Sequence, residues 1–266
     1  MKKIGIILAA VLIVVIGFWL IAVPKSLITN RIETSLVEYN MAIETDDLRK
    51  GLFYNLRAKR VVLNNVGSDD SLRALLVLDN IYAKLDILSL LTARPEMDFE
   101  CMVNNGSVSG STRLPEQRTL MLHGRGINIR QLPLMDMLNV QGDGTLSFRM
   151  SLIRGEGEVR FSVDNLNIKK AGFLNTILPT DLFYAIKGAA RVHENRIDIQ
   201  SVAIKGDGLY ARAKGIVRGR SLNMDMEIML DTSFQPDSLI RTMLARYRVS
   251  PGYYRVPIRH QLPQIF

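Results

Sequence analysis

Between Thr145 and Leu152 apolar and polar residues alternate without a break. Leu146, Phe148, Met150 and Leu152 fall on one side, and Thr145, Ser147, Arg149 and Ser151 on the other. Successive side chains of an extended strand point to opposite faces, so the run predicts a strand with one apolar and one polar face. The next run sets Val159, Phe161 and Val163 against Arg160, Ser162 and Asp164. A third sets Leu222, Met224, Met226, Ile228 and Leu230 against Asn223, Asp225, Glu227 and Asp231. Further strands are predicted at 41–46, 53–63, 74–87, 96–103, 107–113, 119–123, 183–193, 196–204 and 208–218, most of them bounded by Gly, Asn or Pro. Helical spacing is confined to short stretches at 26–39, 130–139, 171–178 and 236–247. Leu134, Met137 and Leu138 make one such stripe, and Leu239, Ile240, Met243 and Leu244 another. The chain is therefore expected to be mainly β, an antiparallel sheet of repeated hairpins with few short helices.

Glycine pairs punctuate these runs. "GDG" occurs at Gly142 and again at Gly206, and the pattern GDG-x8-[IV]-R-G occurs at both places. "GRG" begins at Gly124 and "GEG" at Gly155. A dinucleotide fingerprint needs a third glycine opening a helix, and a phosphate loop needs its lysine; both are missing. The pairs read as turns, with each GDG opening a strand and each Arg-Gly closing a hairpin. "GSVSG", Gly106 to Gly110, has Val108 where a hydrolase elbow needs its serine, and "NNGSVSG" reads as one more hairpin joint.

A one-sided sheet must hide its apolar face. It can close as a sandwich or barrel, or curl into a trough that holds something apolar, and the pattern allows either. The candidate groove or core face is Leu146, Phe148, Met150, Leu152, Val159, Phe161, Val163, Leu222, Met224, Met226, Ile228 and Leu230.

The first residues change the picture. Lys2 and Lys3 precede an uncharged apolar run from Ile4 to Val23. A helix of about 20 residues spans the roughly 30 Å hydrocarbon core of a bilayer. Trp19 suits the interface, and Pro24 ends the helix and disfavours a signal-peptidase site. An uncleaved single-pass anchor is expected, with residues 1–23 as cytoplasmic stub and span, 24–116 as a first β-rich part and 117–266 as a hairpin-rich part. A cytoplasmic N-terminus would place the body outside the inner membrane, in the periplasm of a bacterium.

The 266 residues carry a net charge of +8, which suits anionic headgroups, an acidic protein or nucleic acid. Arg241, Arg246, Arg248, Arg255 and Arg259 concentrate part of it near the C-terminus, with Tyr247, Tyr253 and Tyr254 between them. The anchor argues against nucleic acid, which leaves headgroup or partner-protein contact, or an arginine-rich strand edge kept soluble. Removal of residues 236–266 is accordingly expected to affect a partner more than the central sheet. Cys101 is the single cysteine, and His123, His193 and His260 are scattered, so no metal-ligand cluster is seen. No nucleophile, base and orienter can be assembled, and neither an enzyme nor a cofactor is indicated.

"YAKLDILSLLTARPEMDF", from Tyr82 to Phe99, followed by "NNGSVSG", resembles the AsmA-like family of anchored periplasmic proteins. The later hairpins "KGAARVHENRIDIQ" and "IKGDGLYARAKGIV" resemble more closely the N component of bacterial type II secretion systems in its shorter, AsmA-related form. Pro257, Ile258 and Leu262 resemble that family's closing strand, although His260 stands where a glycine is usual. The resemblance implies an inner-membrane anchor, an elongated, twisted periplasmic sheet, no catalytic residues, and an accessory role beside secretion-system subunits. The AsmA-like relatives imply instead a lipid-facing groove and lipid binding or transfer.

Overall fold

The computed structural model describes residues 30, 33–34, 40–51, 54–66, 72–86, 89, 95–113, 119–137, 139–171, 182–193, 196–232, 234, 242 and 244–261. The expected anchor, 1–23, lies outside them. Among the described residues no helix is long and apolar enough to cross a membrane.

The described chain is mainly β. Its strands are β1 (Met41–Asp46), β2 (Arg49–Gly51), β3 (Asn55–Val66), β4 (Leu72–Leu85), β5 (Glu96–Val103), β6 (Gly106–Arg113), β7 (Thr119–Asn128), β8 (Val140–Ile153) and β9 (Glu156–Ala171). They continue as β10 (Phe183–His193), β11 (Arg196–Gly206), β12 (Leu209–Arg218), β13 (Ser221–Leu230), β14 (Arg248–Ser250) and β15 (Tyr253–Gln261). They form one antiparallel sheet in which neighbours in sequence are mostly neighbours in space; β2 sits on β3, and β15 lies between β13 and β14. Of the short helices expected, 130–139 becomes a 3₁₀ turn, Ile129–Gln131, followed by helix α1, Pro133–Met137. The first is capped by Asn128, whose side chain accepts from the Arg130 amide. Residues 172–178 lie outside the described residues. Thr242, Leu244 and Ala245 are helical within 236–247.

The chain divides into two compact units. The first holds the described residues up to Met102 together with Ser109–Arg113. Here Ile43 pairs with Leu63 and Leu63 with Leu76, an apolar row across β1, β3 and β4. Ala58, Leu75 and Cys101 are buried. Burial pushes the Cys101 thiol above its ordinary pKa, which keeps it protonated and unreactive. Asn64 is buried with its side chain satisfied, since its Nδ2 donates to Glu44 Oε1 at 2.9 Å.

The second unit holds Val103–Val108 and the described residues from Thr119 onward. Its hairpins turn at the Asn and Gly residues marked by the sequence. Asn104 and Asn105 join β5 to β6 with φ of +44° and +67°, the two left-handed residues of a type I′ turn. Arg154 and Gly155 do the same between β8 and β9 at +55° and +84°.

The two GDG sites are not equivalent, which corrects the expectation that each opens a strand: Gly206 ends β11 and Gly142 lies within β8. Asp207 and Gly208 form the turn between β11 and β12, as expected. Gly142–Gly144, however, lies inside β8, where the register with β9 shifts between Gln141 and Gly142 and again between Asp143 and Thr145. Glycine is needed there because a Cβ on Gly142 would meet the Asn167 carbonyl oxygen of β9 at 2.6 Å. Gly124 and Gly126 likewise mark a bulge in β7, not a turn.

Bulges also explain why several strands are longer than their alternation suggests. β9 presents Val159, Phe161 and Val163 at odd positions, then Leu166 and Ile168 at even ones; Asn165, at φ +54°, absorbs the extra residue. β7 passes from Leu120 and Leu122 to Ile127, and β11 from Ile197 and Ile199 to Val202 and Ile204, across register shifts of the same kind. Each bulge resets the parity, so the apolar side chains stay on one face while the pattern of period two is broken.

Candidate functional site

Strand register places all twelve candidate residues on one face of the second unit. Leu146 pairs with Val163, Phe148 with Phe161, and Met150 with Val159. The rows then run through β10 to β12: Val163 to Ile186, Ile204 and Ala211; Phe161 to Gly188, Val202 and Ala213. They reach β13 at Ile228 and Met226, and β15 at Tyr254 and Val256. The face is thus continuous from β7 to β15.

It is not uniformly covered. On β12, β13 and β15 it is core: Ala211, Ala213, Leu222, Met226, Ile228, Tyr254, Val256 and Ile258 are buried, and Leu244 packs into the same cluster. On β8 and β9 the cover is partial: Leu146, Phe148, Met150, Leu152, Val159 and Phe161 are half-buried, and only Val163 among these candidates is buried. At the outer row Ile197 is exposed. Met224 and Leu230 are half-buried at the margins of the core.

The half-covered part has a local design. The Phe148 ring occupies the space over Gly124 on β7, and the Phe161 ring the space over Gly188 on β10; a Cβ on either glycine would collide with the ring. The four residues form one cross-strand row, Gly124–Phe148–Phe161–Gly188. Glycines bare the backbone, and the neighbouring aromatics cover it, which gives a broad, smooth apolar surface. Such a surface holds aliphatic or acyl groups by area and offers no directional chemistry.

The arginine-rich end is built differently from the expectation. Arg241 lies outside the described residues. Arg246 stacks over the Tyr247 ring at 4.6 Å, and Arg248 is exposed on β14. Arg255 and Arg259, on β15, both face Asp225 of β13, at 3.4 and 3.9 Å. Arg259 also donates to the Met224 and Ile258 carbonyls. Two of the five cations are therefore engaged within the sheet. β15 pairs with β13 from Ser221–Gln261 to Met229–Tyr253 and supplies Tyr254, Val256 and Ile258 to the core. Its removal would leave one edge of β13 unpaired and strip that core, so loss of β15 is expected to damage the sheet itself, against the expectation for residues 236–266.

A cavity of about 730 Å³ lies on the polar side of β11–β15. Arg196, Arg212, Lys214 and Arg255 line it together with Asp198, Asp225 and Glu227, so its charge is nearly balanced. Arg196 pairs with Asp198 at 2.8 Å. Among the described residues no group of three His, Cys, Asp or Glu is placed to hold a metal ion.

Compared with known proteins, the chain matches no family model, no curated protein and no solved structure.

Proposed function

We propose that the chain is a non-enzymatic accessory component of a bacterial type II secretion system, anchored in the inner membrane by residues 4–23 with its sheet in the periplasm. The reading rests on the uncharged N-terminal run and on the sequence resemblance. One structural observation supports it most: three joints on which the resemblance rests coincide with strand turns or a strand. Asn104–Asn105 turns β5 into β6, Asp207–Gly208 turns β11 into β12, and Pro257–Ile258 lies in a last long strand, β15. In this role the sheet works by offering faces and strand edges to neighbouring subunits. Cross-linking in native membranes followed by mass spectrometry is the test. Cross-links from the body to secretion subunits are expected, and their absence at native expression levels would remove the proposal.

The half-covered face over β8 and β9 favours a second reading, an AsmA-like lipid-binding protein of the envelope. Native mass spectrometry of the detergent-extracted full chain separates the two. Co-purified lipid that is lost on Phe148→Asp, in a chain that stays folded, would favour lipid handling.

A further inference from the structure

The polar side of β7–β10 carries an arrangement that neither reading uses. His123 of β7 is the register partner of Arg149 on β8, and Arg149 of Arg160 on β9. In the next row Ser147 is opposite Ser162, and Ser162 opposite Lys187 of β10. These six side chains share one face and line a cavity of about 380 Å³. Directly opposed residues in an antiparallel pair hold their Cβ atoms about 4.5–5.5 Å apart, and like charges so placed repel. Arg149 and Arg160 are such a pair.

Their surroundings neutralise them only in part. Arg160 reaches Glu158 at 3.3 Å, but Glu158 is shared with Arg191 at 3.4 Å. Asp164 lies one row beyond Ser162 and faces Thr145. Among the described residues neither Arg149 nor Lys187 has an ion-pair partner. Arg125 adds a further cation beside His123, with its Nε donating to His123 Nε2 at 3.1 Å. Two guanidinium forks, an ammonium and two hydroxyls then border one space, whose volume of about 380 Å³ has room for a phosphoryl group together with the molecule that carries it. A carboxylate is satisfied by one guanidinium; a tetrahedral oxyanion presents enough acceptors for several such donors at once.

We propose that this cluster is a binding site for a phosphoryl group, with Arg149, Arg160 and Lys187 supplying charge and Ser147 and Ser162 supplying hydroxyl donors. The group belongs either to a soluble phosphoester or to a lipid headgroup. The site is independent of the secretion reading.

The test is calorimetric titration of inorganic pyrophosphate into the full chain in neutral detergent micelles, repeated in micelles doped with phosphatidic acid. Saturable binding is expected, weakened about tenfold or more by Arg149→Gln and by Lys187→Gln. The exposed Arg218→Gln, with the same loss of charge, should change affinity less than about twofold: it stands on β12, two strands from β10 and six residues along from the row of Lys187, roughly 20 Å by strand geometry and past the screening length. Competition by phosphatidic acid assigns the site to a headgroup, and lack of competition to a soluble phosphoester. Absence of saturable binding would overturn the proposal, as would equal weakening by all three variants. Because Arg149 and Lys187 stand on different strands, a fold defect in one variant leaves the other as the test.

Discussion

Phe148 on β8 and Phe161 on β9 are direct cross-strand partners, and each ring leans away from the other to cover a glycine on the next strand. The pair therefore owes its position to two absent side chains. Gly188→Ala should lower stability by about 1–3 kcal/mol, since the new methyl must displace the Phe161 ring. Phe161→Leu should relieve part of that loss. A denaturant-melt double-mutant cycle is expected to give a coupling of at least ~0.5 kcal/mol, and strict additivity would contradict the contact.

Gly155, in the turn, and Gly157, just after it in β9, are glycines for different reasons. Gly155 has φ +84° and open space where a Cβ would go, so Ala there meets only backbone strain, about 1–2 kcal/mol. A Cβ on Gly157 would collide with the Ser151 carbonyl oxygen and lie 2.9 Å from Leu152 Cα, both backbone atoms of β8. Gly157→Ala should therefore cost more than Gly155→Ala in urea unfolding. The opposite order would argue against this register.

Two methionines measure the difference between the two faces of the second unit, Met226 on the apolar side and Met121 on the polar side beside His123. Met226 is 1% exposed, and Met226→Ala should cost about 2–5 kcal/mol. Met121 is 53% exposed, and Met121→Ala should stay within about 0.5 kcal/mol of the parent. On the apolar face itself, charge separates the covered part from the half-covered one. Met226→Asp should abolish cooperative unfolding, while Phe148→Asp on the half-buried stretch should leave a measurable transition.

His123 gives the sheet a pH dependence of known sign. Partial desolvation, then Arg125 and Arg149, push its pKa below the ordinary imidazole value. The folded chain then binds fewer protons here than the unfolded one. The stability contribution is complete above about pH 6.5 and is lost as pH falls through the lower folded value. Relative to His123→Gln, the wild type should be more stable at pH 8 than at pH 5. Urea midpoints that move the other way would contradict the assignment.

Much of this architecture was legible from residue spacing, and the misreadings share a cause. β13 has unbroken alternation from Leu222 to Leu230 and no bulge, and its pattern reads directly. β7 and β9 were visible only up to Gly124 and Val163, because past those points a bulge shifts the parity. A bulge and a turn both favour glycine, so the Gly142 and Gly206 sites carry one tripeptide and two geometries. Asn165 was the available signal in β9, as a residue tolerant of positive φ inside an otherwise alternating run. The apolar face was legible because it depends on alternation alone. The basic cluster was not, because Arg149, Arg160 and Lys187 are scattered along the chain, and only pairing across β8, β9 and β10 brings them together. The arginines of β15 were seen as a group, but their shared partner, Asp225, lies on another strand.

The central proposal is that this sheet serves protein secretion across the envelope. Its most direct test is deletion of the gene in the native host, followed by a quantitative inventory of proteins in the culture medium and of envelope lipids. The account predicts that a defined set of secreted proteins falls in the medium and accumulates in the periplasm, with restoration by the intact chain. Unchanged secretion with altered envelope lipid composition would contradict it.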